Sequence, residues 1–330
     1  MNSFSILIIT ANRSKLLQRC LQSLLPHQEK MGFDIHVIVN GDDSETSLLL
    51  KNSFPKIKSK TIKKTNPGEA RNLGAVDIES EYLFFLDDDT ILPFDYFDQI
   101  KKIFEENENL EIFGGPDANY PNSNNWEKAL SIALKSPLAT ANTRYRHRTD
   151  LEPNTSSEKK LILCNMWIKN SLLKNGLKFD HRFFRNEENV LIHQAKKQGI
   201  KTHYFPRLFV YHKRRASTWQ LFRAVMLSGS GRLRSFFFYP SSFDPIYFVP
   251  FLFTTYIFLL MAFETSFLLK LPLLAYLALN LFFSWNLSKN KRNTLFMLRV
   301  SYIQFIINFA YGFGFYLELI NRLTSKVRFR

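Results

Sequence analysis

The sequence predicts an α/β domain built on a doubly wound sheet and followed by a helical membrane segment, on three observations. Over the first hundred residues, short apolar runs alternate with amphipathic stretches, the pattern of strands separated by helices. Toward the end come three uncharged apolar runs, Ile246–Phe263, Leu271–Leu287 and Val300–Leu317, each of 17 or 18 residues and so near the length that crosses a bilayer. The charge is divided in the same way. The 330 residues carry +15 overall, yet residues 1–200 hold 27 Lys and Arg against 26 Asp and Glu, whereas residues 201–330 hold 17 against only Asp244, Glu264 and Glu318.

Taken in order, Ser5–Ile9 reads as a buried strand and Ser14–Leu25 as an amphipathic helix, with Leu16, Leu17, Leu21, Leu24 and Leu25 on one side. Asp34–Val39 is the next strand, Glu45–Asn52 a helix, and Pro67–Ala75 begins another. Tyr82–Leu86 is a strand that ends at an acidic cluster; Phe94–Glu106 follows as a helix, and Leu110–Phe113 as a strand leading into Gly114-Gly115-Pro116. Strands separated by helices argue for a parallel sheet with ligands at the carboxyl ends of its strands. From Asn119 to Lys160 the chain is polar and less regular, with a short helix at Ala129–Leu138 and a mobile loop over Arg144–Ser157. Leu161–Val210 is compact again and ends in short strands at Thr202–Phe205 and Leu208–Val210. Thr218–Arg234 reads as a helix that carries the chain to the membrane.

A basic, aromatic-rich segment suits an anionic surface, and the apolar runs decide for phospholipid over nucleic acid. Arg232 and Arg234 before the first run, and Lys289, Lys291 and Arg292 after the second, orient two crossings with both basic clusters in the cytoplasm. The third run is followed by Lys326, Arg328 and Arg330, which prefer that same side. Either the charge rule does not govern it, or Leu295–Leu319 is re-entrant or interfacial with Arg299 snorkelling. The apolar run Ile6–Ile9 is too short for a secretory signal, and Cys20 and Cys164 have neither metal-ligand spacing nor a disulfide framework. The N-terminal domain is therefore expected in the cytoplasm.

The run Phe84-Phe85-Leu86-Asp87-Asp88-Asp89-Thr90 carries the chemistry. A strand places alternate side chains on one face, so Asp87 and Asp89 act together while Asp88 points elsewhere. Carboxylate oxygens suit Mg²⁺ or Mn²⁺, which are held by one or two protein carboxylates together with substrate phosphates. The plainer alternative is a solvated acidic turn. Three further segments fall at strand ends or helix starts: Thr10-Ala11-Asn12-Arg13, Asn40-Gly41-Asp42-Asp43-Ser44, and Asn66 to Gly74, with Gly68 for close backbone approach and Arg71 and Asn72 in the first helical turn.

In this order and spacing, the T-x-N-R, G-x-A-R-N-x-G and D-x-D motifs resemble the family 2 glycosyltransferases, which have the GT-A fold and use nucleotide-diphosphate sugars. The resemblance covers about residues 3–235 and implies a mixed GT-A sheet over residues 1–235, with a nucleotide-sugar half (1–118) and an acceptor half (119–235). Residues 236–330 then form membrane-associated helices near 246–263, 271–287 and 295–319. By this resemblance Asp87 and Asp89 hold a divalent cation that neutralises the departing diphosphate. Thr10, Asn12, Arg13, Gly68, Asn72 and Asp88 join the donor-binding set. Asn40 or Asp42 contacts base and ribose, although the family commonly ends this strand in Asp. Arg71 faces the diphosphate or fixes the loop, its plain alternative being a surface salt bridge.

Glu187-Glu188-Asn189-Val190-Leu191 matches the E-D-x-x-L of inverting members, whose second acid is the catalytic base. Glu188 stands at that position, and Glu187 is its rival; otherwise the pair is an acidic first turn that favours the helix dipole. His212, in Val210-Tyr211-His212, is a candidate third metal ligand, and Lys213, Arg214 and Arg215 are candidates for diphosphate or lipid phosphate. Gly229-Ser230-Gly231-Arg232 resembles a G-x-G-R segment of membrane-attached members. Trp126 and Trp167 are read as core residues first and as sugar or lipid platforms second. Donor preference is expected to depend on Asn40–Ser44 and Gly114–Asp117.

The resemblance implies an inverting glycosyltransferase at the cytoplasmic face of the cell inner membrane, moving one sugar to a lipid-linked or polysaccharide acceptor. Two or three helices are too few for a processive exporting synthase, and Thr218–Arg223 lacks the Q-x-x-R-W order of such enzymes. A nucleotidyltransferase should show glycine after the first strand, where Thr10–Lys15 has none. A non-catalytic sugar- or nucleotide-binding membrane protein on the same scaffold is the other rival, and the Asn40 and Glu188 departures keep it in contention.

Overall fold

The computed structural model describes residues 2–151, 154–155, 159–264, 266–289 and 293–328. Lys291, Arg292 and Arg330, invoked above for membrane orientation, lie outside the described residues, as do residues 152–153 and 156–157 of the expected loop. In chain order come β1 (Phe4–Thr10), α1 (Ser14–Met31), β2 (Asp34–Asn40), α2 (Ser44–Ser53), β3 (Lys58–Ile62), α3 (Pro67–Ala75), β4 (Tyr82–Asp87), β5 (Thr90–Ile91), α4 (Tyr96–Glu106), β6 (Ile112–Gly114) and β7 (Asp117–Asn119). There follow α5 (Asn125–Ala133), α6 (Pro137–Thr140), a 3-10 turn (Ala141–His147), β8 (Asn154–Thr155), β9 (Asn165–Lys169), α7 (Asn170–Lys174), α8 (Glu187–Lys197), β10 (Thr202–Tyr204) and β11 (Val210–His212). The last helices are α9 (Thr218–Phe238), α10 (Val249–Ala262), α11 (Phe267–Ser288) and α12 (Thr294–Arg328).

These elements form two compact units. Met1–Pro121 with Tyr145–Lys213 make the first, and Asn122–Arg144 with Arg214–Arg330 the second. In the first unit an eight-stranded sheet runs in the order β3-β2-β1-β4-β9-β6-β10-β8. β1 is parallel to β2 and β4, and Ile9 lies opposite Asp87. β9 is antiparallel to both β4 and β6, so the sheet is mixed rather than parallel throughout. Alternation along β4 supplies both faces: Tyr82, Phe84 and Leu86 enter one core, Leu83 and Phe85 the other. Trp167, fully buried, stacks 4.7 Å from Phe84 and 5.6 Å from Phe113, which makes it a core residue. A second sheet, β5-β11-β7, stands at the end of β4 and brings His212 opposite Thr90 and Asn119.

Local chemistry sets the helix starts. Asn66 accepts the Glu69 N–H ahead of Pro67 to open α3, and Asp43 does the same for Thr46 at α2. α5 begins with a reciprocal capping box between Asn124 and Glu127. The helix expected over Ala129–Leu138 is instead split in two, because Pro137 cannot continue α5 and opens α6. The 3-10 turn replaces the first part of the expected mobile loop and buries Arg146 and His147.

In the second unit, Ala129, Leu130 and Ala133 pack with Leu221, Val300 and Ile303. Gly229 and Gly314 let α9 and α12 touch backbone to backbone: a Cβ on Gly314 would lie 2.0 Å from the Met226 carbonyl oxygen, and one on Gly229 2.1 Å from that of Tyr311. Gly229 of the G-x-G-R segment thus serves helix packing. Pro245–Ala262, Phe267–Ser288 and Thr294–Thr324 are each long and apolar enough to cross a membrane. Their polar groups pair internally: Gln304 donates to Asn280 Oδ1 and Ser284 Oγ, and Glu318 accepts from Ser230, Arg234 and Arg322.

Candidate active site

The site gathers at the carboxyl ends of β1 and β4, where the parallel register ends in Thr10 and Asp87. The three consecutive aspartates take three different partners. Asp87, the most exposed, receives Arg71 Nη2 at 3.0 Å. Asp88 is buried and accepts from Thr10 Oγ1 at 2.7 Å and Arg13 Nη1 at 2.5 Å. Asp89, also buried, accepts from Arg13 Nη2 at 2.7 Å and faces His212 Nε2 at 3.1 Å. Thr10 and Arg13 therefore brace the acidic turn, with one guanidinium forked across two carboxylates. Burial pushes the Asp88 carboxyl up to about 7, against the pull of Arg13.

Asp87, Asp89 and His212 each offer a ligand atom, and these atoms lie within 4.8 Å of one another. Two carboxylate oxygens and an imidazole nitrogen suit a divalent cation such as Mn²⁺ or Mg²⁺, so the residues fit the expected ion. Asp117, Cys164 and His212 are equally close. There burial pushes the Cys164 thiol up to about 12, and a thiolate with one carboxylate and one imidazole is a softer donor set than the oxygen-rich one that suits Mg²⁺ or Mn²⁺. Asp117 acts on His212 instead. Its Oδ2 lies 2.7 Å from His212 Nδ1, and its Oδ1 lies 2.5 Å from His147 Nδ1. Burial disfavours the imidazolium of His212, but Cys164, Asp89 and Asp117 around it outweigh that and hold its pKa well above the ordinary histidine value.

Glu187 and Glu188 take different arginine partners. Asn186, with a left-handed φ of 65°, turns the chain into α8, and Glu187 and Glu188 form its first turn. Glu187 is buried against Arg71, whose Nη1 lies 3.1 Å from Oε1. Arg71 thus bridges Asp87 and Glu187 from a buried position, neither a surface pair nor a free cation. Burial pushes Glu187 up to about 7, with Arg71 opposing. Glu188 keeps some solvent exposure and receives Arg146 Nη1 at 3.0 Å.

Of the remaining predicted residues, Asn12 and Asp42 lie on loops, Asn40 ends β2, and Gly68 and Asn72 lie in α3. Asn12, itself at φ 55°, donates its N–H to Asp43 Oδ2 at 2.6 Å. Asn40 is closed on the Thr65 backbone, donating to its carbonyl and accepting its N–H, both at 2.9 Å. Asp42 is exposed. Asn72 pairs in the same two-way manner with the Phe179 backbone, and the space beside Gly68 is taken by Phe179 Cβ at 3.0 Å from an added Cβ. Lys213 lies over the Tyr120 ring, whereas Arg214 is buried on Ser131 in the second unit. Asp43 and Asp117 lie within the donor-preference segments Asn40–Ser44 and Gly114–Asp117, whereas nothing local in the sequence marks Arg146 or His147.

The minor teichoic acid biosynthesis protein GgaB of Bacillus subtilis (strain 168) is 28% identical over 220 residues, which is 61% of this chain and 23% of that protein. The chain therefore spans less than a quarter of that relative. Among solved structures, S. aureus TarS 1-349 in complex with UDP-GlcNAc matches with a TM-score of 0.51 at 13% identity, over 96% of this chain and 92% of that one. The mannosyltransferase PcManGT from Pyrobaculum calidifontis, in complex with GDP-Man and Mn²⁺, gives 0.59 at 12% identity, over 94% and 87%. Both likenesses show the GT-A fold. Residues 2–226 match the family described as Glycosyltransferase like family 2, and the chain belongs to that family.

Proposed function

We propose that this protein is a membrane-attached inverting glycosyltransferase that moves one sugar from a nucleotide-diphosphate sugar to a lipid-linked or envelope saccharide. The observation that carries the reading is the convergence of Asp87, Asp89 and His212 at one strand end. Together with them we place Glu188, a partly exposed acid at the start of α8. Asp87, Asp89 and His212 would hold a divalent cation, whose chemistry is to neutralise charge on the departing diphosphate. Glu188 takes the proton from the acceptor hydroxyl as that oxygen bonds to the anomeric carbon and the carbon–diphosphate bond breaks, inverting the centre. Glu187 remains its rival, paired with Arg71 as Glu188 is with Arg146; Glu188 is preferred because it stands at the second position of the motif. Asp42, Asn12 and Asn40 at the end of β2 form the expected nucleotide side.

The exposed apolar side chains of α10 and α11, Phe267, Leu268, Leu274 and Trp285 among them, suit phospholipid acyl chains. Arg232, Arg234 and Lys289 flank these helices, which favours the cytoplasmic face of the inner membrane. A saccharide carried on a membrane lipid is the matching acceptor for a chain that carries membrane-length helices of its own.

The test is nucleotide release from UDP-, GDP- and dTDP-sugars by the full chain in membranes with Mn²⁺ or Mg²⁺. Release from one donor, abolished by chelation and lost in Asp89→Ala and Glu188→Gln, is the expected result. Donor binding without turnover across lipid acceptors would overturn the enzyme reading in favour of a binding protein.

A further inference from the structure

We propose that the buried dipeptide Arg146-His147 is a positioning element that aligns both halves of the site from one piece of backbone, Arg146 holding the base Glu188 and His147 holding the metal ligand His212 through Asp117. The inference rests on the reading of Glu188 and His212 given under Proposed function.

Both side chains are buried, and each makes a directed contact toward a different half. Arg146 Nη1 reaches Glu188 Oε1 at 3.0 Å, and Nη2 donates to Asn189 Oδ1 one residue further along α8. A planar guanidinium forked over two neighbouring side chains fixes the rotation of Glu188, where a flexible ammonium would not. On the other side His147 Nδ1 lies 2.5 Å from Asp117 Oδ1, while the second oxygen of Asp117 lies 2.7 Å from His212 Nδ1. The Asp117 side chain is fully buried, so it is oriented by these two rings. A carboxylate on one ring nitrogen fixes the tautomer of a ligating histidine and turns its other nitrogen toward the ion. Here that other nitrogen, Nε2, faces Asp89.

The dipeptide is itself pinned. The Tyr204 hydroxyl, from the fully buried Tyr204 on β10, lies 2.6 Å from the Tyr145 carbonyl oxygen and 2.7 Å from that of Arg148, and its single proton is donated to one of them at a time. The two carbonyls bracket Arg146-His147, so the sheet sets the height of both side chains at once. A residue that merely filled space would not need polar contacts on either side.

The two arms make separable predictions for the full chain in detergent. Mn²⁺ affinity is read by electron paramagnetic resonance of the free ion, and kcat and the donor KM by nucleotide release. His147→Leu is expected to weaken Mn²⁺ binding about 10–100-fold. His147→Gln, which still donates to Asp117, is expected to stay within about threefold of the parent by that same logic. Arg146→Met is expected to lower kcat by about 10²-fold, the scale of losing a placed base, with Mn²⁺ affinity and donor KM within about twofold. Arg146→Lys should recover only part of kcat. A general loss of structure would move both readouts in both variants, and that outcome overturns the proposal. So does a His147→Leu protein that binds Mn²⁺ like the parent. If the parent itself binds no Mn²⁺, the reading of Asp87, Asp89 and His212 fails first and this inference falls with it.

Discussion

Arg71 is the residue whose removal should be felt most sharply. Its guanidinium is buried between Asp87 and Glu187, at 3.0 and 3.1 Å, and the Glu187 side chain is only 8% exposed. Replacing Arg71 with Met keeps the stem and deletes the charge, leaving Glu187 buried without its counter-ion. Breaking such a pair from one side costs about 3–5 kcal/mol. Asp87 loses a partner too, but at 30% exposure water compensates much of that. At about 2–4 °C per kcal/mol for a body of this size, the midpoint should fall by about 6–20 °C.

The deficit has a pH signature. Glu187 in the fold already has its pKa raised to about 7 by burial, and Arg71 is what holds it down. A folded pKa above the unfolded value means that protonation stabilises the fold, so stability rises as pH falls from above 7 toward 4.5. Without Arg71 the effect grows, and Arg71→Met should be worse at pH 8 than at pH 5.5. The assay is thermal unfolding of the full chain in detergent, followed by tryptophan fluorescence with Trp167 in the core as a reporter. Adding Glu187→Gln to Arg71→Met should restore much of the loss. A fall of less than 2 °C at pH 8, equal deficits at both pH values, or strictly additive effects would refute the bridge.

Three further outcomes are expected. Asp43→Ala should cost about 1–2 kcal/mol at pH 7 by removing the α2 cap. Burial alone would raise the Asp43 carboxyl, but the hydroxyl and N–H of Thr46 and the N–H of Asn12 outweigh it and hold the pKa below the usual range. Its contribution is therefore full above the unfolded value of about 4 and is lost as pH falls through the folded one, so denaturant titrations of parent and variant should converge in acid. Gly314→Val should destabilise the second unit by more than the roughly 1–3 kcal/mol of ordinary overpacking, since the Met226 carbonyl and Ser230 nitrogen it meets are backbone. Limited proteolysis between α9 and α12 would report it. Trp167→Ala should cost about 3–5 kcal/mol, measured by chemical denaturation, because the indole is enclosed by Phe4, Phe84 and Phe113.

What the sequence disclosed follows from range. α3 was legible to its ends, because Pro67 and the short polar turn before it are local signals. β3 was not, since four of its five residues are exposed and Lys58 and Lys60 mark a charged edge strand without apolar alternation. β9 hid for another reason: its direction and its place between β4 and β6 depend on pairings with residues far away in the chain. The same holds for the site. Three adjacent aspartates announce themselves, whereas Asp117, Arg146 and His147 matter only through partners that the fold brings near. Asn40 illustrates the converse, a polar strand end whose amide closes on Thr65.

The position of β9 also governs how the protein must be made. About 80 residues separate the end of β4 from the start of β9, which at about 5–20 residues per second is roughly 4–16 s of synthesis. Throughout that interval the nascent β4, with Tyr82, Phe84 and Phe85, is an open aromatic edge awaiting its neighbour. The segment Asn122–Arg144 leaves the ribosome in the same interval, well before the helices of its own unit. The half that bears the aspartates is thus no exchangeable cassette. A chimera joined near residue 120 would ask a foreign strand to close the sheet, and a chain stalled there would be a substrate for chaperones rather than a small nucleotide-binding domain.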